Sequence, residues 1–203
     1  LELILVRHGQ TEANREGRFQ GQRDYPLSSF GEEEALKTAG RLDGQEFDVV
    51  YCSPLQRAFK TAGIIVGTRG IKVQSCSFLK EFSWGIIEGL CWPEIVEKHP
   101  RLASRLEKDL QHTFIPQQEP REEFWRRIDH TIDYLLENHL EDRVLLVSHG
   151  RFLNAFLVGF FQMDRKGPWP FRFAHASLSL VEINSQGRKS LKFFNDTCHL
   201  QRD

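Results

Sequence analysis

Two apolar quartets constrain this chain more than any other feature: Leu3-Ile4-Leu5-Val6 and Val144-Leu145-Leu146-Val147. Neither alternates with polar residues. A strand that is apolar at every position has both faces covered, as a central strand of a parallel sheet does when helices pack on either side. The runs Glu2–Val6 and Arg143–Ser148 contain the quartets, and Asp48–Cys52, Ile71–Cys76, Leu178–Ile183 and Ser190–Phe194 also read as strands. Helical patterns lie between them. Ser29–Leu42 puts Ala35, Leu36, Ala39 and Leu42 on one face, with acids in its first turn. Ser53–Val66 opens on Ser-Pro, an N-cap followed by the favoured first helical position. Glu122–Asn138 spaces Phe124, Ile128, Ile132 and Leu135 at the helical period, and Phe152–Phe161 is apolar enough to be buried. This order predicts an α/β fold, a three-layer α/β/α sandwich around a mostly parallel central sheet.

A length of 203 residues fits one domain over 1–203. Residues 82–120 differ from the rest. They carry Trp84, Trp92, several prolines and short helical patterns at Pro93–His99 and Arg101–Leu110. They read as a helical lid or insertion beside the sheet.

Charge and apolar run length exclude two classes of partner. With 27 Lys+Arg against 28 Asp+Glu, the net charge of −1 lacks the basic excess of a dedicated nucleic-acid binder. No apolar run approaches the roughly 18 residues that span a bilayer. The apolar opening has no basic segment and no small-residue cleavage site, so it does not read as a signal peptide, and a cytoplasmic location is expected. Cys52, Cys76, Cys91 and Cys198 have neither metal-ligand nor redox spacing and are expected to be free thiols in a reducing compartment. Asn195-Asp196-Thr197 matches a glycosylation sequon and, without a secretory signal, is read as a chance match.

The chemistry gathers where strands end. One apolar strand runs into Arg7-His8-Gly9 and another into Ser148-His149-Gly150. Sites in open parallel sheets form outside the carboxyl ends of the strands, so the two histidines are expected to face one another. Asp48–Cys52 leads into a helix start that carries Arg57 in its first turn. Helix N-termini attract anions, and arginine adds full charge and bidentate donors suited to phosphate. Arginines beside a histidine favour its neutral form, and neutral imidazole is a nucleophile towards phosphorus. Glu81, which follows the strand Ile71–Cys76, is placed to supply the leaving oxygen's proton.

The sequence resembles the histidine phosphatase superfamily, also called the phosphoglycerate mutase-like family. The resemblance rests on Leu5 to Asn14, Gly17 to Gly21, Asp24 to Leu27, Tyr51 to Ala58, Leu79 to Phe82, Glu88-Gly89, Val147 to Gly150 and Ala176 to Ser179. It implies that His8 forms a phosphohistidine and that Arg7, Arg57 and His149 hold the phosphoryl oxygens. It also implies that Asn14 donates to the phosphate and that Gln20 and Gly21 approach the ester. Glu81 would protonate the leaving alkoxide and then assist water. The resemblance implies no metal and no other cofactor, only a small phosphoester substrate. Monomer and dimer are both compatible with it.

The stretch Phe82 to Leu90 is apolar and compact, without the basic insertion of the longer mutases, which favours a phosphatase over a phosphoglycerate mutase. A catalytically inactive phospho-ligand binder is the third reading, and the presence of every implied catalytic residue weighs against it. Within the compact bacterial branch, α-ribazole-5′-phosphate, phosphoserine and a broad range of esters are the candidate substrates. Pro116 to Pro120 stands where that branch often has a glycine-rich element, which changes the freedom of the loop. Arg151 reads by default as a solvated first-turn residue, with contact to a substrate anion as the other option. Trp84 and Trp92 are candidates for stacking on a leaving group or for packing. His175 is expected near the catalytic loop without a catalytic role.

Overall fold

The computed structural model of the chain describes residues 1–201. In chain order its elements are β1 (Glu2–Arg7), α1 (Glu12–Arg15), α2 (Ser29–Arg41), β2 (Val49–Cys52), α3 (Gln56–Val66), β3 (Val73–Ser75), α4 (Trp92–Lys98), α5 (Pro100–Lys108), α6 (Arg121–Asn138), β4 (Arg143–Ser148), α7 (Gly150–Phe160), β5 (Leu178–Ile183) and β6 (Lys189–Asp196). The strands form one sheet in the order β3-β2-β4-β1-β5-β6. The first four strands in that order are parallel, and β5 and β6 run antiparallel to their neighbours.

The two quartets are the sheet's centre, and their residues divide between its faces. Leu3, Leu5, Val144 and Leu146 pack with Phe124, Ile128 and Ile132 of α6 and with Phe152 and Phe156 of α7. Ile4, Val6, Leu145 and Val147 face the other way, onto Ala58, Ala62 and Ile65 of α3 and onto Leu42. Burying apolar area on both faces, at roughly 25 cal/mol per Å², explains why neither strand tolerates alternation. The three-layer α/β/α sandwich expected from the sequence is the observed architecture. A third, smaller cluster of Ile87, Ile95, Leu102, Leu106 and Ile115 sits under α4 and α5, with Phe19 and Trp84 against it.

One expected helix start is displaced. The Ser-Pro signal at Ser53 does not begin α3, which starts at Gln56 with Leu55 as its N-cap residue. Ser53 continues the sheet instead, its N–H donating to the Val147 carbonyl at 3.0 Å. The free N–H of Gln56 is satisfied from a distance by the Asp24 carboxylate at 2.7 Å. All four cysteines are free. Asn195 turns its side chain inward to accept from the Ala174 N–H at 2.7 Å. Among the described residues, no helix is long and apolar enough to cross a membrane.

Candidate active site

Strand register assembles the site. Arg7 at the end of β1 pairs with Ser148 at the end of β4, and Cys52 at the end of β2 pairs with Val147. The next residues of β1 and β4, His8 and His149, therefore leave the sheet at one level, with Ser53 one residue short of them, beside Ser148. The His8 N–H donates to the Ser148 carbonyl at 3.0 Å. The two imidazole centroids lie 5.1 Å apart, and both rings are buried. The chain can turn away after His8 only because two glycines meet there. A Cβ on Gly9 would lie 2.3 Å from the Gly31 carbonyl oxygen, and one on Gly31 would lie 2.0 Å from that of Gln10.

A carbonyl oxygen sets the chemistry of His8. Its Nδ1 lies 2.7 Å from the Gly9 oxygen, and a carbonyl can only accept. Nδ1 therefore carries the proton, and the lone pair is on Nε2. Burial is the main cause of a His8 pKa well below its ordinary value, and Arg57, His149 and Arg7 push it the same way. His149 is also held neutral, by burial first and then by Arg57 and Arg7. Its Nε2 lies 2.7 Å from the Ser53 hydroxyl.

The arginines are braced rather than free. Arg57 is buried and donates through Nη2 to the Gly21 carbonyl at 2.7 Å and through Nη1 to that of Arg23 at 2.9 Å. Arg7 donates through Nη1 to the Phe173 carbonyl at 2.6 Å and lies 2.8 Å through Nη2 from Nε2 of His175. Burial, reinforced by Arg7, lowers the His175 pKa to about 3, so its Nε2 is free to accept from Arg7. Burial lowers Arg57 to about 10, which leaves it charged at neutral pH. Arg7 Nε, Arg57 Nε and His149 Nδ1 are buried nitrogens with no protein hydrogen-bond partner. A buried donor left unpaired costs about 1–3 kcal/mol, so the two arginine N–H groups beside one histidine mark a place that receives an acceptor.

Glu81 flanks this cluster and acts on the charges of both Arg7 and Arg57. Its Oε1 accepts from the N–H groups of Phe82 at 2.8 Å and Phe152 at 3.0 Å, and its Oε2 accepts from Arg151 at 3.1 Å. The carboxylate thus sits on the N-terminus of α7, where the helix dipole favours negative charge. Gln20 is buried, with its amide oxygen unpartnered. The Asn14 side-chain oxygen is committed to Thr11, which it meets at 3.1 Å on the backbone N–H, in the capping box of α1. That leaves the amide N–H₂ of Asn14 as the part able to reach a ligand.

A family model of the histidine phosphatase superfamily (branch 1) matches residues 3–197, nearly all of the chain. The chain belongs to the histidine phosphatase superfamily. It is 30% identical over 200 residues to phosphoserine phosphatase 1 of Hydrogenobacter thermophilus, covering 98% of this chain and 94% of that protein. It is 30% identical over 186 residues to the adenosylcobalamin/alpha-ribazole phosphatase of Escherichia coli, covering 92% of each. The crystal structure of the alpha-ribazole phosphatase from Shigella flexneri superposes with a TM-score of 0.88 at 29% identity, over 97% of this chain and 96% of that one.

Two arginines of this histidine phosphatase matter more than its sequence suggested. Arg127 on α6 grips Glu119 through two nitrogens, each at 2.8 Å. It also donates to the carbonyls of Phe78 at 2.8 Å and Lys80 at 2.9 Å, which fixes the loop that carries Glu81. The signal was its place beside Phe124, Ile128 and Thr131 on the buried stripe of α6, where an unpaired charge is costly. Arg151 is not the solvated first-turn residue of the default reading. Its guanidinium carbon lies 3.7 Å from the ring centroid of Trp169, 4.0 Å from Phe82 and 4.4 Å from Trp84. Trp84 thus packs against Arg151, and Trp92 stands partly exposed at the start of α4.

Proposed function

We propose that this chain hydrolyses a small phosphomonoester through a phosphohistidine on His8. The observation that carries the reading is a neutral imidazole of fixed tautomer among three buried, unpartnered nitrogens on Arg7, Arg57 and His149. In the first displacement the Nε2 lone pair of His8 forms a bond to phosphorus as the bond to the ester oxygen breaks. The Glu81 carboxyl delivers a proton to the departing oxygen. In the second, water attacks phosphorus, its proton passes to the Glu81 carboxylate, and the N–P electron pair returns to Nε2. Arg7, Arg57 and His149 stabilise the charge that spreads over the phosphoryl oxygens. Asn14 adds a donor, and Gln20 and Gly21 border the ester. Residues 82–120 form a cover over the leaving group. Four free cysteines suit a reducing, cytoplasmic setting.

The test is a panel of α-ribazole phosphate, phosphoserine, 3-phosphoglycerate and p-nitrophenyl phosphate, followed by released phosphate. Turnover of at least one ester is expected. Failure on all four would leave a phospho-ligand-binding protein. With 3-phosphoglycerate and a trace of its bisphosphate, isomerisation faster than phosphate release would instead show a mutase.

A further inference from the structure

Ser53 and His149 are both fully buried, and the Ser53 hydroxyl oxygen lies 2.7 Å from His149 Nε2. The surroundings of Ser53 decide which of the two donates. The Leu55 N–H donates to Ser53 Oγ at 3.3 Å, so the oxygen already receives one hydrogen. The hydroxyl has a single hydrogen of its own to give. Among the described residues it reaches no acceptor other than His149 Nε2. Were Nε2 protonated, it would donate to Oγ, and the hydroxyl hydrogen would be buried without an acceptor, which is unfavourable. Ser53 therefore donates and the Nε2 lone pair accepts. The proton of the His149 ring then sits on Nδ1.

That N–H has no acceptor in the protein, because Nδ1 is buried without a hydrogen-bond partner. Nor does the ring serve its own helix. His149 is the N-cap residue of α7, yet its side chain makes no capping hydrogen bond. The N–H groups of Arg151 and Phe152 go to the Glu81 carboxylate instead. The His149 ring stands 5.1 Å from that of His8, beside the unpartnered Nε atoms of Arg7 and Arg57. The two imidazoles thus carry their proton on the same nitrogen and put it to opposite uses. The Gly9 carbonyl ties up Nδ1–H of His8 and leaves its Nε2 lone pair for phosphorus. The Ser53 hydroxyl ties up Nε2 of His149 and leaves its Nδ1–H for an oxygen anion. The other tautomer of His149 would turn a lone pair towards the phosphoryl oxygens and repel them.

We infer that Ser53 is a positioning residue for phosphoryl transfer: its hydroxyl donates to His149 Nε2 and so holds an Nδ1–H for the phosphoryl oxygens. This rests on the phosphatase reading above and deepens its account of His149, which keeps its proton while Glu81 carries the one that moves. Neutron diffraction from deuterium-exchanged wild-type crystals reads the tautomer directly. Deuterium is expected on His149 Nδ1, and on Ser53 Oγ along the line to Nε2. Deuterium on Nε2 overturns the inference, whatever esters the protein hydrolyses. In Ser53→Ala, kcat/KM and vanadate affinity should each fall about 10- to 100-fold, the scale of a displaced oxyanion donor. Ser53→Thr, which keeps the hydroxyl, should recover most of both. A folded Ser53→Ala with wild-type kcat/KM and vanadate affinity overturns the inference. Should Ser53→Ala not fold, the wild-type neutron map decides. Absence of turnover on every ester in a wild type that binds vanadate would sink the phosphatase reading alone. The vanadate affinities of wild type and Ser53→Ala then carry the test, and equal values overturn the role of Ser53.

Discussion

Replacing Glu81 by glutamine separates its structural role from its chemical one. The carboxylate accepts three backbone N–H groups, two on Oε1 and one on Oε2. Glutamine can keep its oxygen where Oε1 receives two donors. Its NH₂ must then face the Arg151 N–H, so one charge-assisted bond is lost and two donors oppose each other. That costs about 1.5–3 kcal/mol, which for a chain of this size lowers Tm by about 3–12 °C. The chemical loss is distinct, because glutamine neither gives nor takes a proton. Alkyl phosphate turnover should fall about 10²- to 10⁴-fold. With p-nitrophenyl phosphate the leaving group departs without a proton, so His8 is still phosphorylated while water attack slows. Rapid mixing should then show a burst of nitrophenol near one equivalent per enzyme, followed by slow turnover, with the phosphoenzyme accumulating. Equal losses on alkyl and aryl esters with no burst would refute Glu81 as the proton carrier.

Two further outcomes follow from the geometry around His8. His8 and His149 are buried and neutral in the fold, whereas in the unfolded chain each titrates near about 6.5. Below that pH the unfolded state takes up protons that the folded state does not. Stability is therefore fully present above about pH 6.5 and falls as pH drops towards the depressed folded values. Urea unfolding at pH 7.5 and 5.5 should show a loss of about 1.4 kcal/mol per histidine, about 4 once His175, also held neutral by burial, is counted, and His8→Gln should remove about a third of it; a flat profile would contradict buried neutral imidazoles. Gly31→Ala should destabilise by about 1–3 kcal/mol or more, because its Cβ meets the Gln10 carbonyl oxygen at 2.0 Å. Gly40→Ala, inside α2 with nothing within 4 Å of the added carbon, should instead stabilise by about 0.5–1 kcal/mol. Similar thermal shifts in the two variants would count against the close crossing of Gly9 and Gly31.

Much of this was legible because it is written in local pattern. The unbroken quartets placed β1 and β4 at the sheet centre, and Arg143–Ser148 and Leu178–Ile183 are strands to the residue. The histidines that follow the quartets fell together because parallel strands in register end together. The start of α3 misled because Ser53 answers to His149, 96 residues away, rather than to its own helix. Arg151 could not be read, since the ring nearest its guanidinium belongs to Trp169, beyond the end of α7. A first-turn arginine carries no sequence mark of whether solvent or three aromatic rings surround it. Arg127 was legible in principle, as a charge on an otherwise apolar helical stripe.

The central claim is that phosphorus is bonded to Nε2 of His8 during turnover. Rapid quench of the enzyme with a radiolabelled phosphomonoester should trap a label that is stable in alkali and lost in acid. Peptide mapping should place that label on His8, and His8→Ala should abolish both label and turnover. A label on another residue, or a His8→Ala protein that still hydrolyses the ester at the wild-type rate, would contradict the account.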